Sequence, residues 1–188
     1  TMTQNGMNEY KNPQEIFIEN NMPAIGSALT WISEGSRSFL IEIQTLINKT
    51  RNNTPARVTH GVDNKQFILL CAVIEKYLKI PLYEYDIFSK IAHNYKIKMP
   101  HIDLAIVMSI LSSYYNQKIP KRSFYHGEVC LSGKINSKYG ISEKLSLSKY
   151  GIERAVIPTN IEYNDINSAS IISVDSIYHV IKLFDSLK

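Results

Sequence analysis

One stretch limits the fold more than any other. Residues 102–115 read Ile-Asp-Leu-Ala-Ile-Val-Met-Ser-Ile-Leu-Ser-Ser-Tyr-Tyr. The apolar fill is so nearly continuous that a helix here has little polar face to give to water, and so belongs deep in a core. Met99-Pro100-His101-Ile102-Asp103 opens it, with Asp103 placed to cap the helix or to favour its positive end. A second layer of structure must cover such a helix.

The rest of the chain supplies that layer. Residues 26–33 and 38–47 are rich in β-branched and aromatic side chains and flank Glu34-Gly35-Ser36-Arg37, which predicts a β-hairpin. Alternation sets Ile41 and Ile43 on one face and Glu42 and Gln44 on the other, as in a half-buried strand. Residues 48–62 read as a mobile polar loop. Asp63 or Asn64 then caps an amphipathic helix through Phe67, Leu70, Cys71, Ile74 and Leu78, stopped before Pro81. Strands are expected at 83–93, in two short pieces of 124–135, at 153–158 and at 169–175. A short helix is expected at 142–150, ended by Gly151, and a last one after Ser176. The pattern predicts a two-layer mixed α/β (α+β) domain over 25–188. Residues 1–24 are an approach segment with a short helical turn.

A chain of 188 residues can bury one core, and 44% hydrophobic with 20% charged residues is ordinary for a globular protein. No apolar run is long enough for a membrane-spanning helix, and the polar start has no signal-peptide core. Cys71 and Cys130 sit in apolar contexts without metal-ligand spacing, as expected of buried free thiols in a reducing cytoplasm. The net charge of +4 permits nucleic-acid contact.

Familiar catalytic motifs are missing. There is no P-loop, dinucleotide fingerprint, zinc-protease motif or calcium loop, so no ATP hydrolysis, cofactor or metal is expected of this chain. The five histidines are scattered in sequence. His126 and Glu128 share a strand face but lack a nucleophile and an oxyanion donor. Ser112 and Ser113 read as helix-packing residues. Tyr83, Tyr85, Tyr114 and Tyr115 read as packing residues, with base stacking as the alternative.

Four ordered blocks are more specific. The first is Gly26-Ser27-Ala28-Leu29-Thr30, then Glu34-Gly35-Ser36-Arg37, then Leu40–Leu46. Arg57, Gly61–Lys65 and Leu69–Lys76 make the second. Pro100–Ala105 with Ser112-Ser113 is the third, and Gly127–Ile135 the fourth, followed by Glu143, Leu145, Gly151 and Arg154–Pro158. Together they resemble the C-terminal Lon-protease-like domain of the bacterial RadA (Sms) DNA repair family. Departures are Ile25 for a usual proline and a spacing one residue tighter at Asp63–Lys65.

The resemblance implies the fold of the Lon proteolytic domain, of the ribosomal protein S5 domain 2-like type. It places the Lon serine at His101 and the Lon lysine at Ser142, with Lys144 two places late, so a serine–lysine protease is not expected. It also implies a ring, usually hexameric, that supports a DNA-dependent ATPase. The family's zinc-binding segment and ATPase are not found in this sequence. Expected partners are other copies of the chain, single- or double-stranded DNA, and recombination proteins.

Backbone phosphates need donors and positive charge rather than a fixed motif. Three clusters offer them: Lys49, Arg51 and Arg57; Lys118, Lys121 and Arg122; Lys134 and Lys138. Arg37 is expected to hold Glu34 or a neighbouring subunit. Two functions compete: a noncatalytic assembly module with DNA contact, and an oligomerisation or partner-binding module without it. A residual Lon-like serine hydrolase is a distant third.

Overall fold

A computed structural model describes residues 2–3, 6–7, 24–34, 37–92, 96–137, 151–159, 161 and 169–186. The expected helix at 142–150 and most of the approach segment lie outside them. Within that segment, β1 (Met2–Thr3) pairs antiparallel with β2 (Gly6–Met7).

The hairpin forms as β3 (Ser27–Glu34) and β4 (Arg37–Lys49), with Glu34 opposite Arg37 and Ser27 opposite Gln44. It is the middle of a seven-stranded sheet. The other strands are β5 (Arg57–His60), β6 (Tyr85–Ile91), β7 (Ser123–Tyr125), β10 (Arg154–Pro158) and β11 (Ser170–Val174), in the order β11-β10-β7-β3-β4-β6-β5. A separate pair, β8 (Glu128–Val129) and β9 (Ile135–Asn136), follows β7. Only β4 runs against its neighbours; the other pairings in the large sheet are parallel. One edge of the sheet therefore collects the starts of six strands and the end of β4. The other edge collects their ends and the start of β4.

Helices α1 (Asn64–Leu78), α2 (Asp103–Tyr114) and α3 (Ile177–Asp185) share one core with one face of the sheet. Asp63 resolves the capping alternative: its carboxylate accepts from Gln66 N at 3.0 Å. The α1 helix ends at Lys79, in the left-handed region at φ 58°, two residues before Pro81. Every α2 residue from Asp103 to Ser112 is buried. Among the described residues no helix is long and apolar enough to cross a membrane.

Hydroxyls join α2 to the sheet. Ser109 Oγ lies 2.7 Å from Thr45 Oγ1, Ser113 Oγ accepts from Ile47 N at 3.0 Å, and Ser112 Oγ accepts from Gly26 N at 2.8 Å. Both paired serines are thus packing residues, as expected, but they satisfy strand backbone rather than their own helix. The approach is close enough to require glycine. Gly26 has φ +77°, and a Cβ there would sit far inside contact distance of the Thr45 carbonyl.

Three local expectations are corrected. The polar loop is shorter than 48–62, because β4 runs to Lys49 and Arg57–His60 is the edge strand β5. The apolar alternation missed β5 because it is only four residues long and half exposed. Strand β4 is buried on both faces near its start: Ile41 and Ile43 face the helices, while Leu40 joins Trp31, Phe124, Ala155 and Ile157 in a second cluster. Glu42 is also buried, accepting from Ser27 Oγ and Gln44 Nε2. Of the two roles expected of Asp103, the cap falls to Ile102, while Asp103 is the acidic residue of the first turn of α2.

Replacing Gly26 with alanine is expected to lower unfolding free energy by 2 kcal/mol or more, on the order of the cost of a forbidden backbone plus a lost contact. Ser112→Ala leaves a buried amide unpaired and is expected to cost about 1–3 kcal/mol. Urea unfolding of both variants checks this; wild-type midpoints would refute the seam.

Candidate functional site

The place where the resemblance seats a catalytic serine is filled by packed rings. Pro100–Ile102 form a single 3-10 turn before α2. Gly127 N donates to His101 O at 2.8 Å and Leu104 N to Gly127 O at 3.0 Å, which fixes that turn against the end of β7. His101 stacks on Trp31 with ring centroids 4.8 Å apart, and Trp31 stacks on His126 at 5.8 Å. Phe124 lies parallel to His126 at 6.2 Å. All four side chains are buried.

Hydrogen bonds fix the tautomers. His101 Nε2 sits 3.1 Å from Trp31 O, an acceptor, so Nε2 carries the proton. Burial holds the His101 pKa below its usual value, against the favourable carbonyl of Trp31. Trp31 Nε1 donates to His126 Nδ1 at 2.9 Å, and His126 Nε2 lies 3.2 Å from Ser137 Oγ. A hydroxyl beside an imidazole is the start of a nucleophile–base pair. Here the indole N–H occupies Nδ1, so neutral His126 carries its hydrogen on Nε2 and offers Ser137 a donor. A general base needs a lone pair at that atom and an acceptor behind it. Trp31 puts a donor where the acceptor belongs.

Asp103 is the other buried polar centre. Its Oδ2 accepts from Val129 N at 3.0 Å and its Oδ1 from Gln66 Nε2, which links α2 to β8 and α1. Burial pushes its pKa up to about 7, opposed by those two donors and assisted by the Glu128 charge. Among the described residues, no three or more His, Cys, Asp or Glu side chains gather as for a metal ion. Cys71 is buried and its thiol is pushed up to about 11 by burial; Cys130 is half-buried.

The basic candidates divide by edge. Lys49 ends β4, Arg51 follows it, and both line one open concavity of about 830 Å³ with Asn48, Asn52 and Asp86. Lys118, Lys121 and Arg122 are exposed and lead into β7, whose start lies on that same edge. With β3 between β7 and β4, and Leu29 facing both Phe124 and Glu42, Arg122 lies about 10 Å across and about 17 Å along the sheet from Lys49, on the order of 20 Å in all. Lys134 is exposed beside β9 on the opposite edge. Arg57 is differently placed: its guanidinium donates to the carbonyls of Ala56, Tyr85 and Leu82 at 3.0, 2.6 and 2.7 Å. It clamps β5 to the turn before β6. Arg122 pairs with Glu153 at 2.7 Å, both side chains being largely exposed. Arg37 opens β4 on the far edge from Lys49. Its side chain, Lys138 and Ser142 lie outside the described residues.

No protein-family model matches the chain. Individual relatives do. The DNA repair protein RadA of Helicobacter pylori is 35% identical over 158 residues, covering 84% of this chain and 35% of its own length. RadA of Bacillus subtilis is 37% identical over 159 residues, covering 84% and 35%. RadA of Aquifex aeolicus is 33% identical over 183 residues, 97% of this chain and 41% of its own length. The chain is a homologue of part of RadA. It spans about a third to two fifths of those relatives, so most of each RadA protein has no counterpart here. The RadA match extends over nearly all of the present chain, including the ring stack and both edges of the sheet.

Asp103 gives a pH test with a definite sign. Its folded pKa of about 7 lies above the ordinary 3.8, so the folded state binds the proton more tightly than the unfolded state. Its contribution is fully present below about pH 4 and is lost as pH rises to about 7. His101, with a lowered pKa, acts oppositely: its contribution is present above pH 6.5 and is lost as pH falls below 6.5 towards the lowered folded value. Asp103→Asn is therefore expected to remove a downward slope of stability between pH 4 and 7, read by urea unfolding across that range. Parallel wild-type and variant curves would refute the assignment.

Proposed function

We propose that this chain is a noncatalytic scaffold and oligomerisation domain of a RadA-like DNA repair and recombination protein, and that it contributes to DNA binding. The domain occupies residues 25–188 and has the architecture of the Lon proteolytic domain. The observation that carries the noncatalytic part is the buried Trp31–His101–His126 stack. Position 101 has no hydroxyl, its side chain is buried, and His126, the imidazole beside the Ser137 hydroxyl, carries the wrong tautomer for a base.

DNA contact is carried by the shared edge. Lys49, Arg51, Lys118, Lys121 and Arg122 lie towards one side of the sheet, on β4 and on the segment into β7, a separation that several phosphates of one backbone would span. Arg57 is left out, because a phosphate would have to displace three carbonyls. Lys134 belongs elsewhere, Lys138 lies outside the described residues, and Arg37 stays with self-association. The competing reading, an assembly module without DNA affinity, is favoured by the existing Arg122–Glu153 pair.

Fluorescence anisotropy across a salt series separates the two. The first reading expects binding whose logarithm falls linearly with the logarithm of salt. Lys121→Glu with Arg122→Glu should weaken all sequences alike and reduce the slope by about 2. Absence of binding at low salt would leave the assembly module. Casein or peptide cleavage abolished by Ser137→Ala would overturn the noncatalytic part.

A further inference from the structure

The face of the sheet turned away from the helices is covered at one end and open at the other. Near β7 and β10 the second hydrophobic cluster covers it. Across β4, β6 and β5 its middle row is exposed. Register places Leu46, Phe88 and Val58 in one row over these three strands, and they are 56, 39 and 51% exposed. The neighbouring rows are polar. Asn48 stands opposite Asp86 on one side of the apolar row; Gln44, Lys90 and His60 line up on the other.

Phe88 is shared by two open concavities. One holds Lys49, Arg51 and the Asn48 and Asn52 amides; the other, of about 500 Å³, holds Gln44, His60 and Lys90. Among the described residues that line the first concavity, the charge is one-sided: Lys49 and Arg51 meet one carboxylate, Asp86, whose Oδ1 already takes the Ala56 N–H at 2.7 Å. The next carboxylate along the face, Glu42, is buried under Ser27 and Gln44.

We infer that this open face binds single-stranded nucleic acid, with Phe88 as a platform for an unpaired base and Lys49 and Arg51 holding the adjoining phosphates. An exposed ring amid cations and amides is the chemistry of sequence-tolerant single-strand binding: the ring meets the base face, the cations meet the backbone and the amides reach base edges. A protein partner prefers an apolar centre depleted of charge, whereas here cations lie within one row of the ring. A duplex keeps its base faces stacked inside and gives Phe88 nothing to cover. Rows repeat about every 7 Å along the strands, so the path runs from the basic edge at Lys49 onto Phe88 without a break. The inference rests on the DNA-contact reading and adds to it a site and a preference for unpaired bases.

The test compares wild type, Phe88→Ala and Phe88→Tyr with fluorescein-labelled oligo(dT) and a labelled duplex of the same length. Phe88→Ala is expected to weaken oligo(dT) binding about tenfold and leave duplex binding within about twofold, and Phe88→Tyr to restore it. The salt slope should be unchanged by either variant, since no phosphate contact is lost. An oligonucleotide carrying 2-aminopurine should lose its stacking quench with Phe88→Ala. If Phe88→Ala binds oligo(dT) like wild type while Lys121→Glu with Arg122→Glu weakens it, the face is not the site, though the DNA reading survives. Wild-type protein that binds neither probe removes both. Loss of self-association with Phe88→Ala and no change in DNA affinity assigns the face to a second copy and overturns the inference.

Discussion

Everything in this molecule depends on how closely α2 approaches the central hairpin. A helix buried on all sides gains a great deal of apolar contact, on the order of 1.5–3 kcal/mol for each large side chain. It also lies against strand backbone that has polar groups of its own. The fold meets both demands with small residues. Ser112 receives the Gly26 amide, Ser113 receives the Ile47 amide, and Ser109 meets Thr45, while Ile106, Val107, Ile110 and Leu111 fill the gaps between them. Gly26 makes the approach possible because any side chain there would meet the Thr45 carbonyl. Once α2 is seated, its N-terminal turn is fixed as well, and so are His101, Asp103 and the start of β8.

That N-terminal turn is where chemistry would be expected, and the chain has turned it into structure. A hydrolase built here would need a solvated nucleophile and a base with a free lone pair. The chain instead offers stacked rings and a histidine whose proton is directed by an indole N–H. Asp103 is used in the same way. Both carboxylate oxygens serve as acceptors that hold Gln66 and Val129, and burial makes the charge expensive rather than reactive. The proposed function lies on the surface instead. The strand directions put Lys49 and Arg51 on the same side as the segment leading into β7, so a mostly parallel sheet gathers residues that are about seventy positions apart in sequence.

Much of the architecture was legible from sequence because its signals are local. Gly and Ser between β-rich runs mark the hairpin, Asp63 or Asn64 before an amphipathic run marks a capped helix, and a long apolar run marks the central helix. The four blocks were legible for the same reason, and the relatives bear out the resemblance to RadA. Short or two-sided elements were not. Strand β5 is four residues at an edge, and its partner β6 is far along the chain. Glu42 reads as a solvent-facing residue by alternation, yet a second cluster covers that face. Of the candidate residues, exposure was anticipated for Lys49, Arg51, Lys118, Lys121 and Lys134. Arg57 was misjudged, because a guanidinium in a polar stretch looks free until the carbonyls of Leu82 and Tyr85 arrive beside it. The ring stack was invisible: Trp31, His101 and His126 lie on three elements with no shared spacing, and only the topology brings them together.

The account places function on the sheet edge and its open face, and structure at the turn before α2. Hydrogen–deuterium exchange with and without oligonucleotide tests that division directly. The account predicts added protection in residues 48–52, around Phe88 and in 116–122, with exchange at 99–105 and 126–137 unchanged. Protection concentrated at 99–105 and 126–137, with the basic edge unaltered, would contradict it.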